Sequence, residues 1–151
     1  LLSGERLDDL LAAYRHALVI FNTKCDGLVD PILALAAKHG IRDYFFLDLA
    51  NPTLINLVRQ GIRQIAVRYS EYEPIEFALA FANQVDWVWV DCFTRLPLDQ
   101  ESYRRLHEHF KVCLVSPEMQ QHPRSMIGTF QAQLTDMPID AVCSDLCDDW
   151  V

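Results

Sequence analysis

Six short apolar runs, separated by segments with helical character, constrain the fold of this chain more than any other feature. The runs cover residues 17–21, 44–47, 64–67, 87–90, 111–115 and 141–144. They lack the strict alternation of a strand with one face in water, and continuous apolar runs of this length are typical of parallel strands covered on both faces. The sequence therefore predicts a parallel sheet and disfavours hairpins.

Helical signals fill the intervals between the runs. Pro31 lies near the start of the segment 28–40, which ends in Gly40, and the segment 51–61 repeats this order with Pro52 and Gly61. Proline in the first turn and glycine just past the end are typical helix boundaries. Further helices are predicted at residues 7–16, 73–83, 98–110 and 125–134.

Alternating helices and strands fit two parallel architectures, a doubly wound sheet and a (β/α)8 barrel of the TIM type. A complete barrel needs at least about 200 residues. The chain has 151 residues, so the barrel interpretation requires an incomplete barrel of about six βα units that lacks its first two. No linker or low-complexity stretch divides the sequence, and residues 1–151 are predicted to form one domain.

The composition excludes several classes of protein. Hydrophobic residues make up 51% of the chain and the formal net charge is -8, which argues against intrinsic disorder, a nucleic-acid groove and an anionic membrane surface. Charged residues interrupt every hydrophobic stretch, so no membrane insertion is expected. Five cysteines, an odd number without paired spacing, predict free thiols, no zinc site and a cytoplasmic location.

Polar residues follow the apolar runs, and in parallel α/β folds the carboxyl ends of the strands meet where ligands bind. Substrate-binding roles are predicted for Asn22, Asp48, Glu71, Asp91 and Asp145. Simpler roles remain open for some of them: Asp48 and Asp91 as loop caps, and Asp145 as part of a solvated tail. His122 follows the fifth run, and a surface role is favoured for it.

Lys24 and Arg68 carry the strongest functional signal. A cation directly after a buried strand must meet a carboxylate or an anionic ligand, so both are predicted to bind phosphate. Glu118 follows Ser116 and Pro117, and a carboxylate fixed by a rigid turn is a candidate acid/base. The chain contains no GxGxxG, GxxxxGK[ST], GxSxG or HExxH motif.

Three segments together resemble a known family, the glycerophosphodiester phosphodiesterases of the phosphatidylinositol-phospholipase-C-like barrels. LVIFNTK at residues 18–24 is similar to that family's third-strand motif, and VCLVSPE at 112–118 is similar to its penultimate strand. IDAVCSD at 139–145 looks like the closing motif, with Asp140, Ser144 and Asp145 matching. The resemblance covers nearly the whole chain, as strands three to eight.

The resemblance implies hydrolysis of a small phosphodiester with a divalent cation, Mg²⁺ or Ca²⁺, and histidines that transfer protons. Lys24 takes the family's lysine position, which implies a catalytic role beside Glu118. Asn22 stands where the family has a metal-binding carboxylate, and a neutral amide is a weaker ligand for a hard cation. The family's histidine segments of the first two units have no counterpart in these 151 residues, so the chain alone is expected to be inactive.

Two other functions are open at this stage. The first is a non-catalytic protein that binds phosphate or a phosphorylated sugar, and the second is a regulatory α/β domain of the receiver type. An incomplete barrel also leaves sheet edges and part of its interior open. A homo-oligomer is therefore expected.

Overall fold

The computed structural model of the chain describes residues 4–151, which form alternating helices and strands. The strands are β1 (Val19–Asn22), β2 (Tyr44–Leu47), β3 (Ala66–Tyr69), β4 (Trp87–Val90), β5 (Lys111–Val115) and β6 (Ala141–Cys143). The α-helices are α1 (Leu7–Ala13), α2 (Val29–Lys38), α3 (Asn51–Arg59), α4 (Ile75–Leu79), α5 (Gln100–His107) and α6 (Met126–Gln133). Two 3₁₀ turns, Pro117–Gln120 and Cys147–Trp150, follow β5 and β6.

All strand pairs are parallel, which confirms the predicted sheet type. β1 pairs with β2, and β3 to β6 pair in chain order. An isolated parallel bridge between Phe46 and Ile65 joins the two groups. A doubly wound sheet reverses its strand order at a switch point, and the described strands show no such reversal. They do not close into a complete barrel either, since β1 and β6 each have one paired neighbour within residues 4–151.

The two faces of the sheet pack differently. On one face, strand residues such as Phe46, Val67 and Leu114 are buried together with helix residues such as Leu54 and Phe130. The other face, called the inner face here, is a smaller cluster formed by strand side chains. Its buried members are Phe45, Leu47, Ala66, Trp87, Trp89, Cys113 and Val115. The helices therefore lie against one face, while on the inner face the strand side chains pack against one another.

The third strand lies two residues later than the sequence predicts. The predicted run was 64–67, whereas β3 covers Ala66–Tyr69, because its backbone continues to pair with β4 up to the Tyr69–Val90 position. Arg68 is therefore inside the strand, opposite Trp89. Successive side chains of a strand point to opposite faces, so Arg68 lies on the inner face with Ala66 and Trp89. The predicted helix at 73–83 is also shorter, since α4 covers only Ile75–Leu79.

The parallel arrangement brings the carboxyl ends of all strands to the same end of the sheet, together with the loops that follow them. This end of the sheet, with the loops after β1 to β6, is called the mouth here. No helix within residues 4–151 is both long and apolar enough to cross a membrane.

Candidate functional site

Arg68 is the centre of the mouth, where three carboxylates surround its guanidinium. Nη1 donates to Oδ1 of Asp48 at 2.5 Å, and Nε donates to Oδ2 of Asp91 at 3.1 Å. Nη2 also contacts Oδ2 of Asp91, and Nε lies 3.2 Å from Oε1 of Glu73. The carboxylates come from three consecutive strand ends, those of β2, β3 and β4. The predicted cation is therefore already paired within the chain.

Asp48 joins Arg68 to the other predicted cation. Nζ of Lys24 donates to Oδ2 of Asp48 at 2.5 Å, on the carboxylate oxygen that Arg68 leaves free. Asp48 has a φ of 61°, in the left-handed region that aspartate and asparagine tolerate better than most residues. The two cations predicted from the sequence thus meet at one carboxylate, on the same side of the molecule.

Asp91 is the most buried charge of the site, with 2% of its side chain exposed. Its Oδ1 accepts from Nε1 of Trp89 at 3.1 Å and from Nε2 of Gln120 at 2.8 Å. Its Oδ2 faces Arg68. A buried carboxylate is tolerated only when charge and hydrogen bonds compensate it, and Asp91 has both.

Glu73 is the third carboxylate that surrounds Arg68. Its Oε1 faces Arg68, and its Oε2 accepts from Oγ of Ser70 at 2.7 Å. Five of the six oxygens of Asp48, Glu73 and Asp91 therefore accept a hydrogen bond from the chain, and the sixth, Oε1 of Glu73, forms an ion pair with Arg68. Burial lowers the pKa of Arg68, but its contacts with the three carboxylates outweigh burial and raise the pKa above its ordinary value.

A cavity of about 420 Å³ opens beside Arg68, between the loops after β2 and β3. One part of its lining is polar, with Asp48, Arg68 and Glu73, while Leu54 and Phe77 belong to its apolar wall. A second cavity of about 280 Å³ is lined by Lys24 and Asp48 among others. Asp48 therefore borders two cavities at the mouth, one lined by Arg68 and the other by Lys24.

Glu71 holds a loop in place. Its Oε1 accepts from the backbone N–H groups of Thr94 at 2.7 Å and Arg95 at 2.9 Å, and from the Thr94 hydroxyl at 2.8 Å. Burial raises the pKa of Glu71, but these hydrogen bonds prevail and the pKa lies below its ordinary value. Glu71, predicted as a substrate ligand, fixes the loop after β4 beside the mouth.

Glu118 is an ionised acceptor. Its carboxylate accepts from the hydroxyls of Ser116 and Ser144 and from the backbone N–H of Asp145. Burial raises its pKa, but the two hydroxyl contacts lead a set of hydrogen bonds that bring the pKa below its ordinary value. A general acid at neutral pH needs a raised pKa, so this environment does not support that role for Glu118.

The remaining predicted residues lie at the margin of the site. Asn22 is exposed at the end of β1, and the side chain of Asp145 is exposed after β6. His122 is half-buried, and its Nε2 lies 2.9 Å from the carbonyl oxygen of Cys92. Because a carbonyl oxygen only accepts, this contact places the imidazole proton on Nε2.

The residues of the site do not fit the divalent cation implied by the resemblance. Mg²⁺ and Ca²⁺ take six or more oxygen ligands, whereas each oxygen of the three central carboxylates already has a hydrogen bond or an ion pair within the chain. Within the part of the chain that the structure describes, no group of three or more His, Cys, Asp or Glu side chains is arranged to hold a metal ion.

Two residues of the site were not predicted from the sequence, Glu73 and Gln120. Glu73 lies two residues after Glu71 and directly before Pro74, and a carboxylate at that spacing after a strand is a signal that could have indicated it. Gln120 carries no such signal, because the turn Pro117–Gln120 alone brings its side chain to Asp91.

No known protein family, curated protein or solved structure matches this chain. The function is therefore inferred from the geometry of the mouth and from the residues that form it.

Proposed function

We propose that the chain is a phosphodiesterase-like protein built as a (β/α)8-type barrel, represented here by six βα units, whose mouth binds a small phosphodiester or phosphorylated ligand. Three features support the barrel: the strand order follows the chain, the helices lie on one face, and the inner face packs against itself. In barrels of this type the ligand site lies at the carboxyl ends of the strands.

The observation that carries the proposal is the meeting of Lys24 and Arg68 at Asp48. Lys24 is the accessible cation, because 70% of its side chain is exposed against 32% for Arg68. An ammonium has three N–H donors, so Lys24 can contact a phosphate oxygen while it keeps Asp48. Arg68, surrounded by carboxylates, fixes Asp48 in position. The cavity beside it offers an apolar wall to the organic part of the ligand.

Isothermal titration with glycerol 3-phosphate and with a glycerophosphodiester tests the binding. We expect saturable binding, and a loss of at least tenfold in affinity for Lys24→Ala. Lys38→Ala is the matched control, because Lys38 also pairs with one aspartate, Asp8, but lies at the end of α2. Absence of saturable binding, or equal losses in the two variants, would contradict the proposal.

A non-catalytic binding protein is the second candidate, and the lowered pKa of Glu118 favours it. Cleavage of a phosphodiester needs a proton donor for the leaving alkoxide, and Glu118 is ionised at neutral pH. We expect no cleavage of a glycerophosphodiester by this chain, with or without Mg²⁺ or Ca²⁺, in a ³¹P NMR assay. Robust metal-dependent turnover would exclude the binding protein and assign an enzyme.

A further inference from the structure

We infer that the cavity beside Arg68 binds an aromatic ring, which makes the ligand of the mouth an aryl phosphate, the phosphate ester of an aromatic alcohol. This inference rests on the proposed function, because it names the organic group of the ligand whose phosphate contacts Lys24. Asp48 lines both this cavity and the cavity that Lys24 lines. The two parts of one ligand would therefore meet at a single side chain.

The exposed aromatic side chains are the first reason. Among the residues that the structure describes, these are Tyr72, Phe77 and Phe93, with 72%, 37% and 42% exposed. Tyr72 and Phe77 line the cavity of about 420 Å³, while Tyr72 and Phe93 line a neighbouring cavity of about 500 Å³ that Arg68 also lines. Exposed apolar side chains that gather in one place mark a binding site, and these three gather at the mouth.

The packing of these rings is the second reason. The rings of Tyr72 and Phe93 have centroids 5.9 Å apart and planes at 54°, and Phe77 packs against Phe81 at 5.6 Å. Aromatic rings attract one another in tilted and edge-to-face arrangements at about 4.5 to 7 Å. Side chains held by a neighbour lose little freedom when a ligand binds. Tyr72 and Phe77 therefore offer a further ring a prepared surface.

The charged side chains that line the cavity are already paired, which disfavours a ligand rich in hydroxyl groups. Nη1 of Arg68 donates to Asp48, and Nε of Arg68 lies 3.2 Å from Oε1 of Glu73. A sugar or glycerol group would have to compete with these ion pairs for hydrogen bonds. An aromatic ring leaves the ion pairs intact and covers the apolar wall to which Leu54 and Phe77 belong.

Isothermal titration of the wild-type chain with three phosphate esters tests the ligand class. We expect phenyl phosphate to bind about tenfold more tightly than glycerol 3-phosphate, because the ring buries apolar area that glycerol lacks. Phenyl phosphate should also bind about threefold more tightly than cyclohexyl phosphate, which retains the apolar area but has no aromatic ring. Equal affinity for phenyl phosphate and either of the other two esters would overturn the inference.

Variants of Tyr72 locate the ring. Tyr72→Ala should weaken phenyl phosphate about fivefold and glycerol 3-phosphate less than about twofold, and Tyr72→Phe, which retains the ring, should bind both like wild type. Ile55→Ala is the matched control, because Ile55 is 39% exposed on α3 and lines neither cavity. Equal losses for the two esters in Tyr72→Ala would contradict a ring site at this side chain.

Lys24→Ala separates this inference from the proposed function. If Lys24→Ala weakens both esters while Tyr72→Ala weakens neither, the phosphate site stands and the aromatic cavity is wrong. If Tyr72→Ala weakens phenyl phosphate while Lys24→Ala does not, the aromatic cavity stands and the phosphate site is wrong. Absence of binding by all three esters contradicts both.

Discussion

Asp48 is the residue on which the geometry of the mouth depends most. It stands directly after β2 with a φ of 61°, and that turn directs its two carboxylate oxygens toward different cations. Asparagine and aspartate tolerate this left-handed conformation, while a β-branched residue there is strained. The effects of backbone conformation and of charge on stability can therefore be measured separately at Asp48.

Replacement of Asp48 by asparagine and by valine separates the two contributions. Asp48→Asn should retain the backbone and lose the ion pairs, at a cost of about 1 to 2 kcal/mol because the pairs are partly exposed. Asp48→Val should cost a further ~1 to 2 kcal/mol from the left-handed φ. Urea unfolding measures both. Equal free energies of unfolding for the two variants would show that the conformation of Asp48 does not matter.

Asp91 should contribute more to stability than any exposed carboxylate of the chain. Asp91→Ala leaves Arg68 without its buried partner, and breaking a buried ion pair costs about 3 to 5 kcal/mol. Asp86→Ala is the control, since Asp86 pairs with an arginine whose side chain is 48% exposed, and such surface pairs contribute about 0 to 1 kcal/mol. Thermal and urea unfolding of both variants measure the difference in stability. Similar losses of unfolding free energy in the two variants would contradict the burial of Asp91.

At the scale of the elements, the sequence predicted the number and order of the strands because their apolar character comes from local composition. Helix boundaries with proline and glycine, as in α2 and α3, were predicted for the same reason. The position of β3 was not, because its end is set by pairing with β4 rather than by its own residues. As a result, Arg68, which the sequence places after the strand, lies within β3 on the inner face.

The composition of the site was predictable in part. Lys24, Arg68, Asp48 and Asp91 follow from the rule that strand ends gather polar residues. The sequence left open whether each cation meets a carboxylate or an anionic ligand. It did not predict that both cations meet Asp48, which lies in the left-handed region. The role of Glu71 was not predictable either, since its partners are backbone groups of a loop 23 and 24 residues later.

Hydrogen bonds that involve Glu118 link the 3₁₀ turn Cys147–Trp150 to the ends of β5 and β6. Nε1 of Trp150 donates to the Ser116 hydroxyl at 2.8 Å, and this hydroxyl in turn contacts Glu118. Because the pKa of Glu118 in the folded chain lies below its unfolded value of 4.5, its contribution to stability is present above that pH. The contribution is lost as the pH falls through the folded pKa.

Glu118→Gln should therefore destabilise the chain by about 1.5 kcal/mol at pH 7, the usual size for hydrogen bonds to a charged group. The difference from wild type should shrink as the pH falls below 4.5, and it should vanish below the folded pKa, where Glu118 is neutral like glutamine. Urea unfolding at pH 7, 5 and 3.5 measures it, with the exposed Glu108→Gln as control. A difference that stays constant with pH would show that the ionised carboxylate of Glu118 is not what links this turn to the strands.

For the whole molecule, the edges of the sheet are the feature with the clearest consequence. β1 and β6 have unpaired outer edges within residues 4–151, and Ile20 and Cys143 beside them are only partly buried on the inner face. Open edges of this kind favour pairing with another chain. We expect sedimentation to show concentration-dependent self-association, and a clean monomer at high concentration would count against an open barrel.

The mouth as a site for a small phosphorylated ligand is tested most directly by mapping that ligand on the protein. We predict that titrating a glycerophosphodiester into ¹⁵N-labelled chain shifts the amide signals of residues 23–26, 48–51 and 68–73, with saturation in all three segments at one affinity. Signals that do not move, or that move instead along α5 away from the strand ends, would contradict a binding site built on Lys24, Asp48 and Arg68.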